Sequence, residues 1–132
     1  MRRLFYFVSM NPLILKLKEH ATQDRWNLFQ KVVHERTRHV TIALEDLYQP
    51  HNASAILRTC DCFGVQDVHI IENRNTYLVN PEVALGSSHW LSLFEHNANE
   101  GDNSIGCLEY LKTAGYKTVA TSPHVDGFTP EA

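Results

Sequence analysis

The chain has 132 residues, 43% of them hydrophobic and 20% charged, which fits one small globular domain and excludes a disordered tail, a collagen-like repeat or a membrane bundle. No run of about 18 apolar residues is present to cross a bilayer, so a soluble protein without a membrane partner is expected. Twelve Lys+Arg against fifteen Asp+Glu leave a formal net charge of −3, so any nucleic-acid site has to come from a local basic cluster.

Arg2-Arg3 followed by the apolar run Leu4 to Val8 imitates the start of an export signal. That run is shorter than the roughly 7–15 residues a signal core needs, and no small-residue cleavage pattern follows. Met10 precedes Asn11-Pro12, a good helix opening, so residues 1–9 read as an extension without structural duty. A helix is predicted from Asn11 to about His20, and a second opens at Asp24 after Thr22, with Trp26, Phe29, Val32 and Val33 at helical spacing. Arg25, Lys31 and Arg36 fall on its other faces and give it a basic side.

Val40 to Leu44 is a short β-branched, apolar run of the kind a buried parallel strand shows. Glu45 to His51 reads as the loop at that strand's carboxyl end, and Asn52 as the N-cap of a helix. Its apolar stripe is Ala53, Ile56, Leu57, Cys60 and Phe63, and Gly64 stops it in the C′ position. Asp67 to Ile71 is the next strand, completing a βαβ unit. Glu72 to Tyr77 is polar and turn-rich, and Pro81 opens a short helix through Leu85. Trp90 to Phe94 is predicted as a strand, Asn97 to Asn103 as a loop, and Ile105, Leu108 and Leu111 set a helix that stops near Gly115. Tyr116 to Ala120 is the last predicted strand. The pattern is α/β with a mostly parallel sheet preceded by short N-terminal helices, and in such sheets ligands sit at the strands' carboxyl ends. A sheet that stops after a strand leaves an edge or face uncovered, so the chain is expected to be part of a longer protein.

Glycine-rich phosphate loops, an HExxH pair and a GxSxG elbow are absent from the sequence. Cys60, Cys62 and Cys107 are an odd count at low density, which points to reduced thiols and a cytoplasmic setting. Cys60 and Cys62 lie two apart on a predicted helix and point about 200° apart, so they do not share a metal and no metal centre is expected. One constellation stands out. Glu45, Asn52 and Arg58 put a carboxylate, an amide and a guanidinium around one strand-to-helix junction. Read singly, Asn52 is a helix cap and Arg58 a surface residue paired with Asp61 or Glu45.

The stretch Thr41-Ile42-Ala43-Leu44-Glu45-Asp46, continuing through Pro50-His51-Asn52 to Arg58-Thr59-Cys60-Asp61-Cys62-Phe63-Gly64-Val65, closely resembles the first motif of the SpoU branch of the SPOUT RNA methyltransferases. Within that branch it is most similar to the enzymes that methylate the ribose of guanosine-18 in tRNA. The resemblance extends through Asp67-Val68-His69, Gly86-Ser87-Ser88-His89-Trp90 and Gly115 to Thr121. It implies the N-terminal part of a SPOUT (α/β knot) fold over residues 40–132, with residues 1–39 as an extension and helices that touch tRNA. The family's two further motifs lie downstream of these matches, form the knot, and provide most of the cofactor pocket and dimer interface.

The implied reaction moves a methyl group from S-adenosylmethionine to a ribose 2′-hydroxyl of tRNA, by a protein that is a homodimer at full length. Oxygen, methyl carbon and sulfur must be aligned, and a weakly acidic proton must be removed. By resemblance Arg58 meets the 2′-hydroxyl, Asn52 orients Arg58 or the ribose, Glu45 supports them, and Thr121 touches the cofactor. A guanidinium has a pKa above about 12, so Arg58 is either a proton acceptor helped by its surroundings or a clamp on phosphate and developing alkoxide. Arg25, Lys31, Arg36 and Arg38 are the expected tRNA-docking cluster, with His51 near the ribose. Two other readings stand beside this one: a non-catalytic RNA-binding or dimerising remnant, and a methyltransferase acting on ribosomal RNA.

Overall fold

A computed structural model of the chain describes residues 12–78, 80–98 and 101–121. Three short parallel strands form its centre: β1 (Ile42–Glu45), β2 (Asp67–Ile71) and β3 (Ser92–His96), in the spatial order β1-β2-β3. The register pairs Leu44 with Ile70 and His69 with Phe94. Helices α1 (Pro12–Glu19) and α2 (Gln23–His34) precede the sheet, α3 (Pro50–Cys62) joins β1 to β2, and α4 (Pro81–Ala84) with a 3₁₀ turn (Ser87–His89) leads to β3. Helix α5 (Asn103–Thr113) follows β3.

Strand β2 is buried along its whole length because a layer covers each face. Val68 and Ile70 point to one side and pack with Leu44, Leu91 and the α3 residues Leu57 and Cys60. Ile71, one position out of phase, points to the other side and packs with Cys107 and Leu111 of α5. Burying apolar area is worth about 25 cal/mol per Å², and the sequence concentrates it on these two seams. Helix α3 ends as expected. Gly64 takes a left-handed φ of 71°, and a β-carbon there would lie 2.7 Å from the Glu35 carbonyl oxygen, so only glycine fits. Thr22 caps α2 by accepting from the Arg25 N–H at 3.3 Å.

Several boundaries differ from expectation. The cap of α3 is Gln49, and its first turn holds Pro50, His51 and Asn52, so Asn52 is not the N-cap and His51 is helical. Proline's preset φ suits the first helical position and draws the helix start back by three residues. Phe63, expected in the apolar stripe, is the C-cap and is exposed. Strand β3 begins at Ser92 rather than Trp90, because Gly86 (φ 82°) launches the 3₁₀ turn and the Trp90 N–H closes it on Ser87. Tyr116 to Ala120 forms no strand among the described residues. The Tyr116 N–H is spent on the Leu111 carbonyl and its hydroxyl donates to the Arg38 carbonyl at 2.6 Å, after which no ladder is present to define a strand. Residues 1–11, with the expected extension and Asn11, lie outside the described residues.

Candidate functional site

The carboxyl ends of β1 and β2 carry a polar shelf. Asp46, at a left-handed φ of 47°, accepts on Oδ1 from the N–H groups of Asn73 (2.8 Å), Arg74 (2.8 Å) and Asn75 (3.3 Å). Those donors, Arg74 first and Asn73 next, hold its carboxyl below the ordinary aspartate value. Asn73 accepts from the Asn103 N–H at 3.0 Å and donates to Ser104 Oγ at 2.8 Å, while Asn103 donates to the Glu72 carbonyl at 2.7 Å. Glu45 accepts from the Ser104 hydroxyl. Glu45 is therefore tied to the first turn of α5 and makes no ion pair with Arg58 among the described residues.

Asn52 and Arg58 are six positions apart on α3, which turns them about 120° from each other and moves them about 9 Å along the axis. His51, seven positions before Arg58, shares its side of the helix to within about 20°. Both His51 and Arg58 are exposed, and the Arg58 guanidinium makes no hydrogen bond or ion pair among the described residues. Neither Glu45 nor Asp61 partners it, as the reading of Arg58 in isolation had allowed.

The first turn of α3 is fixed by a residue that sequence reasoning passed over. Ser54 is fully buried, donates to the Pro50 carbonyl at 2.7 Å and accepts from the Asn80 N–H at 2.7 Å, tying α3 to the loop before α4. A serine inside an apolar stripe was the available sign.

The expected basic cluster does not assemble as one patch. Arg36 turns inward, 8% exposed, into an ion pair with Asp61 of α3. Arg38 grips both oxygens of Asp67 at 2.5 and 2.6 Å, with half of its side chain still in solvent. Arg25 lies over the Phe29 ring at 5.7 Å, and Phe29 meets Trp90 at 6.2 Å. Lys31 is exposed on another side of α2. Arg25 and Lys31 therefore remain free of acidic partners among the described residues, and Arg36 and Arg38 do not.

A strand-helix-strand core with an invested loop network at one end suits many chemistries, so family membership decides between them. Residues 39–130 match the model of the SpoU rRNA Methylase family. The chain belongs to that family. It is 41% identical over 106 residues to a tRNA (guanosine(18)-2′-O)-methyltransferase of Borreliella burgdorferi, covering 80% of this chain and 46% of that protein. A Thermus thermophilus protein of the same name is 32% identical over 105 residues, covering 80% of this chain and 52% of the relative. The crystal structure of the A. aeolicus TrmH/SpoU tRNA modifying enzyme superposes with a TM-score of 0.57 at 25% identity, over 70% of this chain and 45% of that one. The chain spans about half the length of these relatives. The expected mixed α/β fold with a parallel sheet, the N-terminal part of a SPOUT fold, is the observed one.

SpoU methylases use a methyl donor, and the fit of S-adenosylmethionine can be judged from the residues present. Thr121, the expected contact, is exposed in a stretch without backbone pairing. A cavity of about 490 Å³ between α5 and Tyr116 is walled mostly by the apolar parts of residues such as Ile105, Leu108, Lys112 and Tyr116, and Thr121 does not line it. Adenine, ribose hydroxyls and a carboxylate need convergent polar partners, and the described residues do not bring these together at Thr121. No helix among them is long and apolar enough to cross a membrane.

Proposed function

We propose that this chain supplies the RNA-facing part of a tRNA guanosine-18 ribose 2′-O-methyltransferase that uses S-adenosylmethionine, acting in the cytoplasm as a homodimer of the whole protein. The observation that carries this reading is the state of Arg58. It is an exposed guanidinium without an acidic partner, in the family's motif, while Arg36 and Arg38 nearby in sequence are held by Asp61 and Asp67. An unpaired arginine on a helix is available to a phosphate or to an oxygen gaining negative charge.

Arg58 is the catalytic residue of this proposal. A guanidinium keeps its charge in proteins, so its role is to donate hydrogen bonds to the ribose 2′-oxygen as that oxygen gives up its proton to solvent water, or to hold the adjoining phosphate in place. His51, on the same side of α3, reaches the same nucleotide, and Asn52 contacts the RNA backbone from the neighbouring side. Glu45 is a positioning residue through Ser104. Arg25, Lys31 and the solvent-facing half of Arg38 give phosphate contacts over residues 1–39, while Arg36 contributes to folding instead. Thr121 belongs to the cofactor side, and no step is derived through it. The relatives' names favour tRNA over ribosomal RNA as substrate.

The test is nucleoside analysis. The whole protein that contains this segment is incubated with a tRNA transcript and S-adenosylmethionine, the RNA is digested, and products are read by mass spectrometry. The expected product is 2′-O-methylguanosine, lost in Arg58→Lys. Methylation of a base, or of ribosomal RNA in preference to tRNA, overturns the reading.

A further inference from the structure

Strand β2 is otherwise apolar at its centre, yet it carries a buried histidine. His69 is 2% exposed and faces α5, the side opposite α3. Its Nδ1 lies 3.0 Å from Nε2 of His96, at the end of β3. Phe94 stacks on the His69 ring at 4.9 Å, and Tyr110 of α5 covers both imidazoles at 5.6 and 6.2 Å. Cys107, fully buried on α5, completes the group: one ligand atom from each of His69, His96 and Cys107 lies within 4.8 Å of the others. Sequence spacing gave no sign of this, since the three come from three different elements.

We propose that His69, His96 and Cys107 form a binding site for a borderline-soft divalent cation of the zinc class, pinning α5 to the sheet. Two imidazole nitrogens and a thiolate are the donor set such an ion prefers, and a tetrahedral ion bound at about 2.0–2.3 Å separates its ligand atoms by roughly 3.3–3.6 Å. The His69–His96 pair has to open by a few tenths of an ångström, and the longest separation in the group has to close by about one. Both adjustments would come from rotations of the His96 and Cys107 side chains. Burial lowers both imidazoles, with His96 also lowering His69, which favours the neutral form that ligates. Burial raises the Cys107 thiol, so ion binding releases its proton. Three protein donors leave a fourth position for water. Entry is beside His96, which is half-buried, under the half-exposed Tyr110. This site is independent of the RNA reading, because it lies under α5 and shares no residue with Arg58, His51 or Asn52.

The test is titration of tag-free, chelator-stripped chain with Co²⁺, read by absorption. One equivalent binds and gives a thiolate-to-cobalt charge-transfer band, which Zn²⁺ removes by competition. Cys107→Ala abolishes the band, Cys62→Ser at the exposed thiol leaves it, and His96→Asn weakens affinity by at least about tenfold, since loss even of a group behind a ligand costs 10–100-fold. A folded wild-type chain without the band overturns the proposal, as does a band that survives Cys107→Ala or disappears in Cys62→Ser. If Cys107→Ala fails to fold by circular dichroism, His96→Asn decides: unchanged cobalt affinity there also overturns it.

Discussion

The ion pair between Arg36 and Asp61 allows a prediction with a definite asymmetry. The Arg36 side chain is 8% exposed and that of Asp61 is 26% exposed, and Arg36 Nη1 is buried without a hydrogen-bond partner. Asp61→Asn leaves the guanidinium desolvated and uncompensated, a change that costs about 3–5 kcal/mol for fully buried pairs. Two features reduce it here: water reaches the Asp61 side, and Asp61 sits in the last turn of α3, where losing a negative charge returns about 0.3–1 kcal/mol. The expected net loss is about 2 kcal/mol. Arg36→Met removes the buried charge together with its unpartnered nitrogen, keeps the aliphatic stem, and leaves a carboxylate that water solvates, so its cost is about 1 kcal/mol or less. Adding Arg36→Met to Asp61→Asn recovers stability. Urea unfolding at neutral pH, followed by fluorescence of Trp26 and Trp90, reads all three variants. Arg36→Met proving as costly as Asp61→Asn, or the double variant proving the least stable, refutes the reasoning.

Gly64→Ala is expected to destabilise the chain by about 2–4 kcal/mol: about 1–2 for the left-handed backbone and the rest for the 2.7 Å approach to the Glu35 carbonyl. Gly115→Ala has the same conformational penalty with nothing within 4 Å, so its loss of thermal stability is the smaller of the two. The depressed Asp46 carboxyl stabilises the fold above the ordinary aspartate value near 3.8, and that contribution is lost as pH falls through the lower folded value. Asp46→Asn, which keeps the left-handed backbone, removes that part of the acid sensitivity in a melting series from pH 6 to 2. For tRNA, Arg25→Gln and Lys31→Gln each lower the slope of log affinity against log salt by about 0.7–0.9, whereas Arg36→Met leaves it unchanged because that guanidinium faces Asp61.

What the sequence revealed was local. The βαβ unit and the Gly64 stop depend on periodicity and on residues within one turn of each other, and both are present as expected. The helix start at Pro50 was misplaced because two cap signals competed and proline's fixed φ prevailed over Asn52. Pairings across the fold left no trace in spacing: Arg36 with Asp61, Glu45 with Ser104, and His69 with His96 and Cys107 join residues from different elements. The basic cluster looked continuous along the chain and is divided in space for that reason. Tyr116 to Ala120 has strand composition, but a strand also needs a ladder partner, which composition does not specify. Family membership was legible because the motif from Thr41 to Val65 is itself one contiguous strand-helix segment.

The claim that Arg58 faces a tRNA ribose is tested most directly by fluorescence anisotropy with two tRNA transcripts, one carrying ordinary guanosine at position 18 and one carrying 2′-deoxyguanosine there. The wild-type chain is expected to bind the ordinary transcript more tightly, and Arg58→Lys to lose that preference while keeping its salt-dependent affinity. Equal binding of both transcripts by the wild type, or a preference that persists in Arg58→Lys, contradicts the account.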